Sequence, residues 1–280
     1  MSSSPTHREV VRLFPLPDRK RPLEGLYLDE KLPAPVAGVP ALVYANFVTS
    51  LDGRIAVSDD GGTSRLPEGL TNPRDWRLFQ ELQAHADCLV SHGGYLRALA
   101  AGRLGNVLQV GVSAGSGDIV RWRVTQGMPE QPAVAIVSAG LDFPIPEVLA
   151  RHGQPVHILT TATAHDDRRT ALEEAGYDVV TTGSGPWVRA RDAVGALAER
   201  GYRRLYLQTG PRMLESALRD RVLARLYLTI SHRLVGGERF DTMVRGAALG
   251  IEGRLSLGSL FLDEDPNLDF GQLFARFDAV

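Results

Sequence analysis

Two glycine-containing turns stand where a strand is expected to meet a helix, and both could bind phosphate. The first, residues 91–94, follows the apolar run DCLV, and the second, residues 209–212, follows LYLQ. A helix N-terminus offers free N–H groups and a positive dipole potential, and glycine lets the backbone approach an anion closely. Either turn alone is more typical of a tight connection. Two of them at the carboxyl edge of one parallel sheet predict a phosphate-bearing ligand.

Residues 111–115 read GVSAG and match the GxSxG pattern of a serine hydrolase, in which the serine lies between a strand and a helix. A strand is expected directly before the motif, at 106–110. A loop is expected after it, because RWRV at 121–124 alternates in the manner of a strand. The motif therefore favours an ordinary glycine-serine loop, with a hydrolase nucleophile at Ser113 as the less favoured alternative.

The residues that commonly bind metals form no complete motif. The 7 histidines contain no HExxH pattern, and Cys88 is the only cysteine. His7 and Glu9 have the HxE spacing of a zinc deaminase, but the PCxxC half is missing. We expect no metal site, and a lone cysteine favours a reducing compartment.

An alternation of strands and helices must position these turns. Short apolar runs predict strands at 41–48, 87–90, 106–110, 133–137, 156–160, 178–181 and 205–208. Amphipathic segments between them predict helices at 73–84, 95–101, 145–151, 167–175, 191–199 and 212–220. Trp76 and Phe79 would be core residues of the first helix. This alternation indicates crossover units on a largely parallel sheet.

The two ends of the chain differ from this pattern. Strands predicted at 222–234, 253–262 and 269–278 have no helices between them and are expected to be antiparallel edge strands. Residues 1–40 contain seven prolines and predict an extended N-terminal arm. A glycine-rich loop is expected at 59–63. The fold class is therefore α/β, with one domain at 41–280 that has a mainly parallel central sheet and antiparallel C-terminal strands.

Composition excludes several classes of protein. With a net charge of -2, the chain is not a binder of nucleic acid or other polyanions. Lysine occurs only at Lys20 and Lys31, so the domain can form neither a lysine Schiff base nor a GxxxxGK[ST] phosphate loop. No apolar run reaches the roughly 18 residues of a membrane span, and the N-terminus lacks a signal-peptide core. The expected location is cytoplasmic.

Four segments together resemble the reductase domain of riboflavin biosynthesis, the C-terminal domain of bifunctional deaminase/reductases. They read NFVTSLDG at 46–53, ADCLVSHG at 86–93, LQTGP at 207–211 and LVGG at 234–237. The resemblance runs from about residue 41 to the C-terminus. It implies a three-layer, dihydrofolate-reductase-like fold, an NADPH cofactor and reduction of the ribosyl group of an aminopyrimidine ribose phosphate. It also suggests a homodimer formed through a sheet edge that the late strands would supply.

The resemblance implies two sets of site residues. The substrate would contact Asn46, Ser50, Asp52 and Gln208, with Asn46 and Asp52 catalytic and Asp52 handling a proton. The cofactor would contact Thr71, Asp75, Ser91, His92, Gly93, Gly94, Ser138, Thr209, Gly210, Pro211, Arg212 and Met213. From the residues alone, a substrate-facing carboxylate is favoured for Asp52, with a turn residue before Gly53 as the alternative. His92 could equally be a phosphate partner or a solvated residue at a helix start.

Two departures from the family pattern leave the activity open. The family's Glu-Gly-Gly is Gln208-Thr209-Gly210, and its Gly-x-Gly-Thr turn is Ser-His-Gly-Gly at 91–94. The first change removes a carboxylate acceptor, and Thr209 adds a side chain where the backbone must approach the cofactor. The favoured function is an NADPH-dependent reductase of a pyrimidine- or pterin-like molecule, such as 5-amino-6-(5-phosphoribosylamino)uracil. The alternative is a non-catalytic ligand-binding relative with the same fold.

Overall fold

The computed structural model describes residues 9–17, 19–58, 64–113, 115–264 and 270–280. The glycine-rich loop at 59–63, His7 and residue 269 lie outside this part of the chain. The strands are β1 (Glu9–Phe14), β2 (Arg19–Pro22), β3 (Leu42–Ser50), β4 (Ala56–Ser58), β5 (Ser64–Arg65), β6 (Cys88–His92), β7 (Ala133–Val137), β8 (Val156–Thr160), β9 (Asp178–Thr181), β10 (Arg204–Leu207), β11 (Arg225–Ser231), β12 (Phe240–Asp241), β13 (Leu255–Asp263) and β14 (Gln272–Ala279). The helices are α1 (Pro73–Ala84), α2 (Gly93–Ala100), α3 (Gly117–Thr125), α4 (Glu147–Arg151), α5 (Asp166–Glu174), α6 (Ala190–Glu199) and α7 (Pro211–Arg219).

One mixed sheet contains eleven of these strands, in the order β2-β1-β13-β14-β11-β3-β10-β6-β7-β8-β9. The run from β11 to β9 is parallel throughout, and β14, β13 and β1 continue it with antiparallel pairing. The predicted fold class is therefore confirmed. The prediction of antiparallel late strands is wrong for β11, which runs parallel to β3. Helix α7 is the crossover that connects β10 to β11, so both strands run in the same direction on either side of β3.

The described part of the predicted N-terminal arm packs onto this sheet. Strands β1 and β2 form an antiparallel pair, and β1 lies beside β13. Leu23 and Tyr27 follow this pair and are buried in the core. Because β1 pairs with β13 and β2 pairs with β1, the late strands lie inside the sheet and do not form its edge. The homodimer stays a prediction, and within the described residues its sheet edge would have to be β2 or β9.

Helices cover both faces of the sheet. Alternation along β3 sends Ala45 into a core with α6 and α7, and Tyr44 into a core with α1. Helix α2 packs through Leu96 on the same side as α1. Two groups of helices on one sheet give three layers, and the carboxyl ends of the parallel strands open between them.

The prediction of a strand at 106–110 is wrong, because these residues form no strand. Its apolar residues Leu108 and Val110 are buried, but the backbone finds its partners in side chains instead of a neighbouring strand. Gln131 bonds both the N–H and the carbonyl of Val110 at 2.8 Å, and Gln154 donates to the carbonyl of Leu108 at 2.9 Å. Side-chain amides satisfy these groups as fully as a ladder would.

The strand-like reading of RWRV at 121–124 is also wrong, because these residues belong to α3. Ile119 and Arg123 are four residues apart and both fully buried, which gives the helix its inward face. Arg123 donates to the carbonyls of Ala84 and Ala86, each at 2.7 Å. A buried arginine that binds the end of α1 breaks the simple rule that charged positions face solvent.

Candidate functional site

A cavity of about 690 Å³ opens at the carboxyl edge of the parallel strands, on the side of α6 and α7. The ends of β6 and β7, the start of α7 and the loop before α6 form its walls. Seven of the predicted cofactor residues line it: His92, Ser138, Thr209, Gly210, Pro211, Arg212 and Met213. The phosphate-binding turns predicted from the sequence thus converge partly on one cavity.

Four arginines also line this cavity: Arg189, Arg212, Arg219 and Arg245. Three of them pair with carboxylates of the same wall: Arg189 with Asp220, Arg219 with Glu215 at 2.7 Å, and Arg245 with Asp241 at 3.3 Å. Arg212 is exposed, and its guanidinium lies 5.4 Å from the ring centroid of Trp187. The cavity therefore combines cations with an aromatic surface.

His92 caps α2, which begins two residues earlier than predicted. Its Nδ1 accepts a hydrogen bond from the backbone N–H of Tyr95 at 3.3 Å. Burial, assisted by the charge of Arg97, lowers the pKa of His92 to about 4. The imidazole is therefore neutral at pH 7. His92 is partly exposed and lines the cavity, and its contact with the cofactor stays a prediction.

Gly93 is required by packing within the protein. A Cβ at this position would lie 2.8 Å from Cδ1 of Phe143 and 3.0 Å from Oγ of Ser138. Ser138 accepts a hydrogen bond from the N–H of Leu141 at 3.1 Å while it lines the cavity. At Gly94 a Cβ would meet Nδ1 of His92 at 2.9 Å, so this glycine accommodates the cap.

Asp52 is held in a turn at the end of β3. One oxygen accepts from Oγ of Ser50 at 2.5 Å and from the N–H of Val235 at 3.1 Å. The other accepts from the N–H of Gly236 at 2.8 Å. These bonds, led by the one from Ser50, hold the pKa of Asp52 well below its usual range. A carboxylate so bound keeps no proton near neutral pH, so this geometry does not support the expected proton-handling role.

Asp75 has the opposite environment on the α1 side of the sheet. Asn72 caps α1, and its Oδ1 accepts from the N–H of Asp75 at 3.0 Å. The Asp75 side chain is 5% exposed and hydrogen-bonds Thr229, while its Oδ1 has no partner among the described residues. Burial raises the pKa of Asp75 to about 6. Thr71 immediately precedes the cap.

Further polar groups face the same side as Asp75. Alternation along β3 and β10 directs Asn46 and Gln208 to this face. Both polar atoms of the Gln208 amide, and Oγ of the fully buried Ser91, lack hydrogen-bond partners within the described chain. Such groups are rare in folded proteins unless water or a ligand binds them. We call Asn46, Asp75, Ser91 and Gln208 the polar patch.

The cavity and the polar patch meet at the strand ends. Gln208 belongs to the polar patch, and the next residue, Thr209, lines the cavity. Ser91 and His92 divide in the same way between the two sides. A ligand that crosses the ends of β6 and β10 would therefore contact both groups of residues.

Ser113 does not have the environment of a hydrolase nucleophile. Its Oγ accepts from Nε1 of Trp76 at 3.0 Å and from Nε2 of Gln80 at 3.1 Å. Helix α3 does begin shortly after the motif, at Gly117, but residues 106–110, directly before the motif, do not form a strand. No histidine is among the hydrogen-bond partners found for Ser113 in the described chain, so nothing there would activate it.

Two further searches cover the described residues only. They contain no group of three or more His, Cys, Asp or Glu side chains arranged to bind a metal ion. No helix in this part of the chain is both long and apolar enough to cross a membrane.

Comparison with known proteins identifies the family. The model of the RibD C-terminal domain matches residues 41–252. The chain belongs to this family. The resemblance found in the sequence is thus confirmed, and residues 253–280, which contain β13 and β14, lie beyond the matched segment. No match was found among the curated proteins.

Several solved structures share the fold of this RibD C-terminal domain protein. A pyrimidine reductase-like protein from Corynebacterium diphtheriae is 21% identical with a TM-score of 0.63, over 86% of this chain and 92% of that one. RibD from Acinetobacter baumannii is 14% identical with a TM-score of 0.60, over 87% of this chain but only 59% of that one. Riboflavin biosynthesis reductase Rib7 from Saccharomyces cerevisiae is 13% identical with a TM-score of 0.54, over 86% and 90%.

Sequence reasoning missed part of the cavity wall. Trp187 and Arg189 lie in the loop before α6, and Arg245 lies in the segment after β12. A tryptophan between a glycine-serine-proline stretch and an amphipathic helix was the available signal for the first two. The segment that contains Arg245 has no periodicity from which its position could be inferred.

Proposed function

We propose that the protein is an NADPH-dependent reductase of a pyrimidine- or pterin-like small molecule, with 5-amino-6-(5-phosphoribosylamino)uracil as the first substrate to test. Membership of the RibD C-terminal domain family supports this function. The observation that carries it is the cavity of about 690 Å³, lined by arginines and an exposed tryptophan, next to the polar patch, in which Oδ1 of Asp75, Oγ of Ser91 and the amide of Gln208 lack hydrogen-bond partners among the described residues.

The residues of the cavity fit a dinucleotide. A Cβ built at Gly210, the N-cap of α7, would meet no atom within 4 Å, so the backbone there is open to a ligand. The N-terminus of α7 and the nearby Arg212 favour a phosphate group. Gly210, Arg212 and Ser138 would hold the cofactor, and NADPH supplies a hydride when it is bound.

The polar patch would orient the substrate where the strand ends meet the cavity. Asn46 and Gln208 each offer both a donor and an acceptor to the edge of a heterocycle. Oδ1 of Asp75 has no partner among the described residues, so a donor group of the substrate would bind there, and near its pKa of about 6 the carboxyl group can hold or release a proton at this atom. Helix α1 covers this side and keeps water away from Asp75, which is buried.

A non-catalytic binding protein is the second candidate, and the pair Gln208-Thr209 favours it. A neutral amide replaces the carboxylate that the family has at this position, so the polar patch keeps one carboxylate, that of Asp75. Gln208 can still accept a hydrogen bond, but it cannot take up a proton. Binding of NADPH without turnover of any pyrimidine or pterin would support this candidate.

The test has two steps. NADPH is titrated against the purified full chain, and binding is measured by calorimetry and by the shift in melting temperature. NADPH oxidation is then followed with the aminopyrimidine ribose phosphate and with a dihydropterin precursor as alternative substrates. Binding with turnover of either substrate is the expected result. Absence of NADPH binding would exclude the proposed function, and binding alone would leave the non-catalytic candidate.

A further inference from the structure

Among the four cavity arginines, Arg212 differs in its surroundings. The other three face carboxylates of the cavity wall, which neutralise much of their charge. For Arg212 the one contact found within the described chain is the ring of Trp187, with 5.4 Å between guanidinium carbon and ring centroid. A π-face holds a guanidinium in place without neutralising it. Arg212 therefore keeps a full positive charge and free N–H donors at the cavity.

Trp187 is an exposed aromatic residue on a fixed loop. The residue is 58% exposed, which is unusual for a tryptophan. The loop is tied to α7 through the buried Asp220, which pairs with Arg189 and accepts from the N–H of Arg191 at 3.2 Å. Oγ of Ser216 adds a bond from the N–H of Ala190 at 2.8 Å. These bonds hold the backbone shortly after Trp187, and the ring of Trp187 faces the guanidinium of Arg212.

The position of Arg212 in α7 selects the group that it would bind. It is the second residue of the helix. Pro211 has no N–H and the N–H of Met213 donates to the carbonyl of Gly210 at 3.1 Å, so the Arg212 side chain leaves the helix beside its own backbone N–H, for which no partner is found among the described residues. A phosphate seated there accepts hydrogen bonds from the backbone and from the guanidinium together. In a dinucleotide, the diphosphate is the group that carries charge at its centre and is common to NADPH and NADH.

We propose that Arg212 binds the diphosphate of the cofactor and that Trp187 holds the Arg212 guanidinium over the cavity. This inference rests on the proposed function, because it requires a dinucleotide in the cavity. Arg212 is the binding residue, and Trp187 is a positioning residue that acts through it. The role of Trp187 needs an aromatic face, so phenylalanine at this position should preserve cofactor binding and alanine should weaken it.

The test measures binding of NADPH and of NADH by calorimetry, at low and high salt, for the wild type and four variants. Arg212→Gln should weaken both cofactors equally, by about tenfold or more, as expected for the loss of a charge-assisted bond. Trp187→Ala should weaken both by a smaller factor, and Trp187→Phe should bind like the wild type. Affinity should fall with salt less steeply in Arg212→Gln than in the wild type. Arg121→Gln, which removes an exposed arginine of α3 on the other face of the sheet, should change nothing.

Each other outcome has a defined meaning. Wild-type affinity in Arg212→Gln overturns the inference and leaves the proposed function intact. A loss confined to NADPH moves Arg212 to the 2′-phosphate and overturns the diphosphate assignment. Equal loss in Trp187→Phe and Trp187→Ala overturns the positioning role of Trp187. A wild type that binds neither dinucleotide removes the proposed function and this inference together. Melting temperatures of all variants verify that they are folded.

Discussion

The carboxylate of Asp52 accepts the backbone N–H of Gly236 at 2.8 Å, and this bond joins the end of β3 to the loop after β11. Val235 adds a second backbone bond at 3.1 Å. The two strands are parallel neighbours, so the loop that follows β11 needs an acceptor at the end of β3. Asp52 supplies it, and its role in this structure is to fix the rim of the site.

Replacement of Asp52 by asparagine should therefore lower the melting temperature at pH 7, because a charged acceptor of two N–H groups becomes a neutral one. The folded-state pKa is depressed, so the wild-type carboxylate stabilises the fold above its unfolded pKa of about 4 and loses this effect as the pH falls. The difference in melting temperature between the wild type and the variant should consequently become smaller below pH 4. Thermal unfolding at several pH values measures both effects, and an unchanged melting temperature at pH 7 would contradict the structural role.

The sequence predicted the parts of the site that depend on local pattern. The strand-to-helix turns at Ser91 and Thr209 could be predicted because each apolar run is followed by a glycine-containing segment. Their position on one edge of the sheet could be predicted because the strands are parallel. The environments of the individual carboxylates could not be predicted. Asp52 and Asp75 are both polar residues beside a turn in the sequence, and only the distant residues Gly236 and Thr229 distinguish them.

The errors in the fold have the same physical origin. The segment around Val110 has strand-like composition, but the side chains of Gln131 and Gln154 satisfy its backbone from a distance that no local pattern encodes. Arg123 is charged and yet fully buried, so the sequence pattern of α3 resembles the alternation of a strand. Tertiary partners override propensity at both places.

A buried ion pair links the start of α1 to β13. Nη2 of Arg74 lies 2.7 Å from Asp263, neither side chain is exposed, and Gln272 donates to the same carboxylate at 2.9 Å. Asp263→Ala should destabilise the protein by about 3–5 kcal/mol, because it removes a buried carboxylate that pairs with Arg74 and accepts from Gln272. Urea unfolding measures the change. Glu147→Ala, at the exposed first residue of α4, is the control, and a similar small loss in both variants would contradict the prediction.

Two glycines at the site should respond differently to alanine. Gly93→Ala should destabilise the fold by about 1–3 kcal/mol, because its Cβ would overlap Phe143. Gly210→Ala should leave stability nearly unchanged, since its φ of -77° suits alanine and its Cβ meets no protein atom within 4 Å. That Cβ would enter the cavity, so NADPH binding should weaken. Melting curves with and without NADPH separate the two effects, and equal behaviour of the two variants would be inconsistent with this geometry.

Asp75 offers the sharpest separation of stability from function. Its folded-state pKa is raised to about 6, so the protonated form suits the fold and the charged form costs stability as the pH rises through that value. Asp75→Asn should therefore melt at a higher temperature than the wild type at pH 8 and at a similar temperature at pH 4. Turnover should nevertheless fall by about 10²-fold or more, because the amide can neither hold nor release the proton at Oδ1. Asp118 has the opposite environment, because its carboxylate accepts from Arg77 at 2.9 Å and this bond holds the pKa of Asp118 below its usual range. Asp118→Asn, the control, should lose stability at pH 8 instead of gaining it, and a loss of stability in Asp75→Asn would contradict the unpartnered oxygen on which this prediction depends.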